Sequence, residues 1–130
     1  MKKRTKCYLY TRVSTSMQVD GYSLDAQRDK LRKYAEYEDM VVAGEYSDEG
    51  FSGKNIQGRH EFQRMLQECR EGKIDLILVK SISRFARNTK DCLEAVRELK
   101  ELGINVRFER EGIDTTNVSS ELITAIYAAF

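Results

Sequence analysis

Ser14 and four arginines, Arg12, Arg59, Arg84 and Arg87, are the residues of this 130-residue chain whose types could carry covalent chemistry together. A serine hydroxyl is a weak nucleophile until one group accepts its proton and others stabilise the charge developing on its target. Guanidinium groups meet the second need at a phosphorus centre. Their planar forks donate in pairs to phosphate oxygens, and the grip tightens as a pentavalent transition state accumulates charge. The target this residue set suits is therefore a phosphodiester. The charge pattern points the same way: the formal net charge is only +1, from 22 Lys plus Arg against 21 Asp plus Glu. Residues 1–19 nevertheless hold five basic side chains and no acid, and residues 76–90 hold Lys80, Arg84, Arg87 and Lys90, again with no acid. Two positive segments on an otherwise acidic chain indicate a local anion site and not a general polycation.

The elements that must position these residues follow from periodicity. Residues 7–13 alternate and are rich in aromatic and β-branched side chains, which predicts a strand ending beside Ser14. Ser23 is a candidate cap for a helix reaching about Glu38, with Leu24, Leu31, Tyr34 and Ala35 at helical spacing. Residues 40–46 read as a second strand, and residues 48–55 as a loop by their Gly, Ser and Asn content. From Arg59 a helix places Phe62, Met65, Leu66 and Cys69 on one face and stops at Gly72. Residues 74–80 form an apolar run typical of a buried central strand. A basic connector over 81–88 follows, then a helix over 89–102 with Leu93, Val96, Leu99 and Leu102 inward, ended by Gly103. Residues 104–108 read as a fourth strand, 110–117 as a turn or short extra strand, and Ser119 as the cap of a last helix running to Phe130.

Strands and helices that alternate with short connections predict an α/β fold: a mainly parallel sheet of four to five strands with helices on both faces. In such sheets functional groups gather beyond the carboxyl ends of the strands. That rule selects residues 12–18, 48–59 and 80–87, so both basic segments converge on the hydroxyl of Ser14.

Other chemistries lack their residues. No Gly-x-Gly-x-x-Gly follows a strand and no Gly-Lys-Ser/Thr loop exists, so nucleotide cofactors have no cradle. No cysteine has an arginine six positions on, and the third strand ends Val79-Lys80, without the acceptor aspartate of a phosphoryl receiver. His60 is the sole histidine and reads as a helix-surface side chain, and no close carboxylate cluster suggests paired magnesium ions. Neither a cofactor nor a metal is expected. Cys7, Cys69 and Cys92 have no Cys-x-x-Cys spacing and are expected to be reduced and buried. No apolar run approaches the ~18–20 residues of a membrane span, and the charged start lacks the apolar core of a signal peptide. A cytoplasmic protein is the expectation, with one domain as the expected organisation at this length.

The motifs Tyr10-Thr11-Arg12-Val13-Ser14-Thr15-Ser16-x-Gln18, Ser23-Leu24-x-x-Gln27, Asp48-Glu49-Gly50-x-Ser52-Gly53, Arg59 and Lys80-Ser81-Ile82-Ser83-Arg84-Phe85-Ala86-Arg87-Asn88 resemble the serine recombinases, the resolvase/invertase group. The likeness spans nearly the whole chain and looks more like the large integrase and transposase branch than the small resolvases. It implies a catalytic domain of site-specific DNA recombination. Ser14 would attack a DNA phosphodiester, leaving a 5′-phosphoseryl enzyme and a free 3′-hydroxyl, and the reverse attack would reseal the strands after exchange without ATP or metal. Arg12, Arg84 and Arg87 would bind the scissile phosphate, with Arg59 assisting in the transition state. Gln18 and Gln27 match positions near the active site, and Lys80 and Ser83 are supporting candidates in the last block. Ser83 stands where many small resolvases carry an aspartate, so a role assigned to that acid does not transfer.

The resemblance further implies a catalytic domain over residues 1–118, and at 119–130 the start of a truncated long helix that joins subunits and leads to separate DNA-binding domains. The residues shown contain no base-reading element, so DNA affinity of this fragment is expected to be weak and nonspecific, with homodimers, and tetramers in synapsis, formed by the full-length protein. The competing expectations are a noncatalytic α/β module that captures a phosphorylated ligand at the same crevice, and a dimerisation module.

Overall fold

The computed structural model describes residues 5–14, 24–50, 59–116 and 118–130. Five strands, β1 (Thr5–Ser14), β2 (Met40–Gly50), β3 (Leu76–Val79), β4 (Asn105–Phe108) and β5 (Ile113–Asp114), form one sheet in the order β2-β1-β3-β4-β5. β1 to β4 pair in parallel and β5 pairs antiparallel to β4. The helices are α1 (Leu24–Tyr37), α2 (His60–Arg70), the short α3 (Ile82–Phe85), α4 (Thr89–Glu101) and α5 (Ser120–Ala129). This is the α/β architecture predicted from the alternation.

Side-chain alternation along β1 and β3 splits the core in two. Cys7, Leu9, Leu76 and Leu78 pack with Leu31 and Ala35 of α1 on one face. Tyr10, Ile77 and Val79 pack with residues of α2, α3, α4 and α5 on the other. β3 is buried at all four positions, as expected of a strand covered on both faces. The predicted inward face of α2 is buried in full: Phe62, Met65, Leu66 and Cys69. Gly72 and Gly103 follow their helices with φ of +79° and +78°, the left-handed geometry that lets a chain leave a helix. All three cysteines are buried and free of disulfides.

Three expectations need correction. Asp48, Glu49 and Gly50 belong to β2 and not to a loop, because pairing with β1 continues in register to Ser14 opposite Gly50. Sheet pairing overrides the local turn preference of these residues. The connector over 81–88 contains the helical turn α3, and its first amide, that of Ile82, donates to both carboxylate oxygens of Glu111 at 3.3 and 3.4 Å. Leu102, the residue after α4, is 41% exposed, and the residues that α4 buries are Cys92, Val96 and Leu99.

Two caps set the helices that follow the site. Asn88 Oδ1 accepts from the Asp91 amide at 2.8 Å at the start of α4, and Ser119 Oγ accepts from the Leu122 amide at 3.2 Å at the start of α5. α5 buries Leu122 and Ile126 against the main core and leaves Tyr127 and Phe130 exposed. Among the described residues no helix is long and apolar enough to cross a membrane.

Candidate active site

The carboxyl ends of β1, β2 and β3 meet the amino end of α2 and the turn α3, and this junction collects the arginines. Ser14 is the last residue of β1, in register with Gly50; its side chain lies outside the described part, as do Gln18 and Ser23. Two residues earlier on the same strand, Arg12 reaches across to α3. Its Nε donates to the Arg84 carbonyl at 3.2 Å and its Nη2 to the Ser83 carbonyl at 2.6 Å. A four-residue helix leaves carbonyls without intrahelical partners, and a guanidinium fork fits two of them at once. Burial, reinforced by the cations of Arg59, Arg84 and Arg87, presses the pKa of Arg12 down from its ordinary value, while Tyr10 opposes the change. The four sequence-selected arginines thus share one electrostatic neighbourhood.

Arg59 is the most enclosed of them, only 8% exposed. Its guanidinium stacks 3.7 Å from the centroid of Phe62 and donates to the Phe85 carbonyl. Nε and Nη2 also donate to the Tyr10 hydroxyl at 3.4 and 3.5 Å. Beneath it the rings of Tyr10, Phe62, Phe85 and Phe108 run edge to face at 5.1, 5.4 and 5.6 Å between centroids, a stiff aromatic floor. Arg87 is exposed, and with Arg59 it lines a groove of about 540 Å³ between α2 and α4.

Gln27 of α1 is 3% exposed, and its amide takes both backbone groups of Arg12: the Arg12 amide donates to Oε1 at 3.4 Å, and Nε2 donates to the Arg12 carbonyl at 3.1 Å. It acts as a one-residue strand extension that pins the end of β1. Lys80 follows the alternation of β3 to the α1 side. There Nζ lies 3.3 Å from Glu109 Oε1, and burial together with nearby Lys30 lowers its pKa. The structure does not bring Lys80 to the arginines. Ser83 contributes its carbonyl to Arg12 and shares a hydroxyl contact of 3.1 Å with Ser81. His60 is exposed on the first turn of α2, as expected. Among the described residues no group of three or more His, Cys, Asp or Glu side chains is placed to hold a metal ion.

Sequence reasoning quoted Asp48 at the head of a family-like motif and gave it no role of its own. This buried carboxylate accepts from the Glu61 amide at 2.9 Å, from the Phe62 amide at 3.0 Å and from the Tyr10 hydroxyl at 2.7 Å. It supplies from β2 the cap that the N-cap residue Arg59 does not provide. A cap that reaches from a strand twelve residues before the helix start is outside what local capping rules read.

The carboxyl ends of a mainly parallel sheet thus bring arginines to the strand that carries Ser14. Residues 7–130 match the family described as the resolvase N-terminal domain, and the chain belongs to that family. A resolvase/recombinase of Pseudomonas putida is 32% identical over 121 residues, covering 92% of this chain and 60% of that protein. The transposon Tn3 resolvase of Escherichia coli is 32% identical over 120 residues, 92% of this chain and 58% of that protein. The chain therefore spans about three fifths of the length of these relatives. Among solved structures, a resolvase-family site-specific recombinase from Streptococcus pneumoniae superposes with a TM-score of 0.79 at 42% identity, covering 95% of this chain and 83% of that one. The N-terminal catalytic domain of TP901-1 integrase gives a TM-score of 0.77 at 34% identity, covering 94% and 91%.

Proposed function

We propose that this chain is the catalytic domain of a serine site-specific recombinase. The Ser14 oxygen attacks the phosphorus of a DNA phosphodiester and loses its proton. The bond to the 3′ oxygen breaks, leaving a 5′-phosphoseryl link and a 3′-hydroxyl. Attack by a 3′-hydroxyl on that link restores the phosphodiester and frees the serine, so the bond energy is conserved and no high-energy cofactor is consumed. Arg12, Arg84 and Arg87 bind the scissile phosphate, and Arg59 adds charge in the transition state. Gln27 acts through the backbone of Arg12, and Gln18 and Ser83 are supporting positions. The observation that carries the reading is that Arg12, two residues before Ser14 on β1, spans to the basic connector and binds the carbonyls of Ser83 and Arg84 there.

In this reading residues 1–118 are the catalytic domain, and the helix from 119 onward leads to subunit contacts and DNA-binding domains. DNA is the partner, held weakly and nonspecifically by these residues alone. The full-length protein works as a dimer that becomes a tetramer in synapsis, in the cytoplasm. The test is to incubate full-length protein with DNA carrying its recombination site in EDTA without nucleotide, and to resolve the products under denaturing conditions. A covalent adduct at the 5′ end beside a free 3′-hydroxyl is expected. An adduct that needs added metal or ATP, or cleavage without any adduct, would overturn the proposal.

A further inference from the structure

The turn α3 carries Arg84, and charges from other elements hold it at both ends. At its carboxyl end Arg12 donates to the carbonyls of Ser83 and Arg84, and Arg59 donates to that of Phe85. At its amino end the N-cap residue Ser81 makes no side-chain cap. The Ile82 amide donates instead to Glu111, at 3.3 Å to Oε1 and 3.4 Å to Oε2. A helical turn has no internal partner for its first amide, and a carboxylate placed there meets the positive end of the peptide dipoles.

Glu111 belongs to the hairpin between β4 and β5, and that hairpin is itself fastened to the end of β3. The Glu109 amide donates to the Val79 carbonyl at 3.0 Å and the Arg110 amide to the Lys80 carbonyl at 2.8 Å, which carries the ladder of β4 with β3 past its last pair, Val79 with Phe108. Gly112 then closes the turn with φ of +67°, its amide donating to the Phe108 carbonyl at 2.9 Å. These are backbone bonds, so the seat of the hairpin does not depend on the side chain at 111. We infer that Glu111 is a positioning residue for Arg84: its carboxylate fixes the start of α3 against the end of the sheet, and so where Arg84 stands relative to the phosphate that Ser14 attacks. The inference rests on the proposed recombinase reading and adds to it a group on the hairpin, outside every motif that carries the family resemblance.

Glu111→Ala removes the acceptor, and Glu111→Gln keeps an oxygen at the same reach without the charge. Two readouts decide the matter in full-length protein: the single-turnover rate of covalent adduct formation at saturating DNA, and the hydrogen-exchange protection of the Ile82 amide. The alanine variant is expected to form adduct about 10-fold more slowly and the glutamine variant less than about 3-fold more slowly, the scale of a catalytic group moved off its line. Protection of the Ile82 amide should fall in the first and persist in the second. An unchanged rate for Glu111→Ala overturns the inference. So does a slower rate with Ile82 protection unaltered, or a glutamine variant as slow as the alanine one. Should Glu111→Ala fail to fold, Glu111→Asp decides: it keeps the charge but draws the oxygens back by one methylene, so adduct formation is expected to slow, and an unchanged rate overturns the inference. Absence of adduct from the unsubstituted protein would instead remove the recombinase reading beneath it.

Discussion

Ser14→Ala is expected to abolish the covalent protein–DNA adduct and to lower recombination by on the order of 10⁴-fold or more, the scale of losing a nucleophile that no neighbour replaces. The argument combines place and chemistry. Ser14 closes β1 at the edge of the arginine neighbourhood, and Arg12 on the same strand is held by Gln27 on its backbone and by the carbonyls of Ser83 and Arg84 at its guanidinium. Removing one hydroxyl at the strand end leaves that framework in place. DNA retention by the variant in a gel-shift assay should therefore match the unsubstituted protein while denaturing gels show no adduct. An adduct surviving at a comparable level would refute the assignment.

Asp48→Ala is expected to produce the largest loss of stability of any single substitution in the site, about 3 kcal/mol, read from the urea midpoint. It leaves the amides of Glu61 and Phe62 and the Tyr10 hydroxyl without their shared acceptor in a buried setting. Each unsatisfied group costs ~1–3 kcal/mol, partly relieved where water enters. The corresponding fall in melting temperature is about 10 °C for a domain of this size. Asp48→Asn retains one acceptor oxygen and should lose less than half as much. A midpoint equal to that of the unsubstituted protein for Asp48→Ala would show that α2 does not depend on this cap.

What the residues disclosed, and what they concealed, follows a physical line. The buried face of α2, the all-buried strand β3 and the exits at Gly72 and Gly103 were legible because each is written within a few consecutive residues. The parallel arrangement followed from the order of those elements. The reach of β2 to Gly50 was not legible, since its cause is ladder pairing with β1 some 36 residues away, Arg12 opposite Asp48. Asp48 as a cap was hidden for the same reason: it acts on Glu61 and Phe62 from another element. Charge alone could not say that Arg59 would be enclosed and stacked on Phe62, or that Lys80 would turn to the α1 side and pair with Glu109. Side-chain direction is a property of the assembled sheet. The arginine cluster itself was legible, because the rule that strand ends converge needs only the order of strands.

The central claim is most directly tested by locating the attachment atom. The denatured adduct is digested with trypsin and nuclease, and the nucleotide-bearing peptide is fragmented in a mass spectrometer. Cleavage after Arg12 and Arg28 gives a peptide that holds Ser14 with Thr15, Ser16, Tyr22 and Ser23 as internal controls. The account predicts a nucleotide phosphate on Ser14 alone; a phosphate on any other side chain, with Ser14 unmodified, would contradict it.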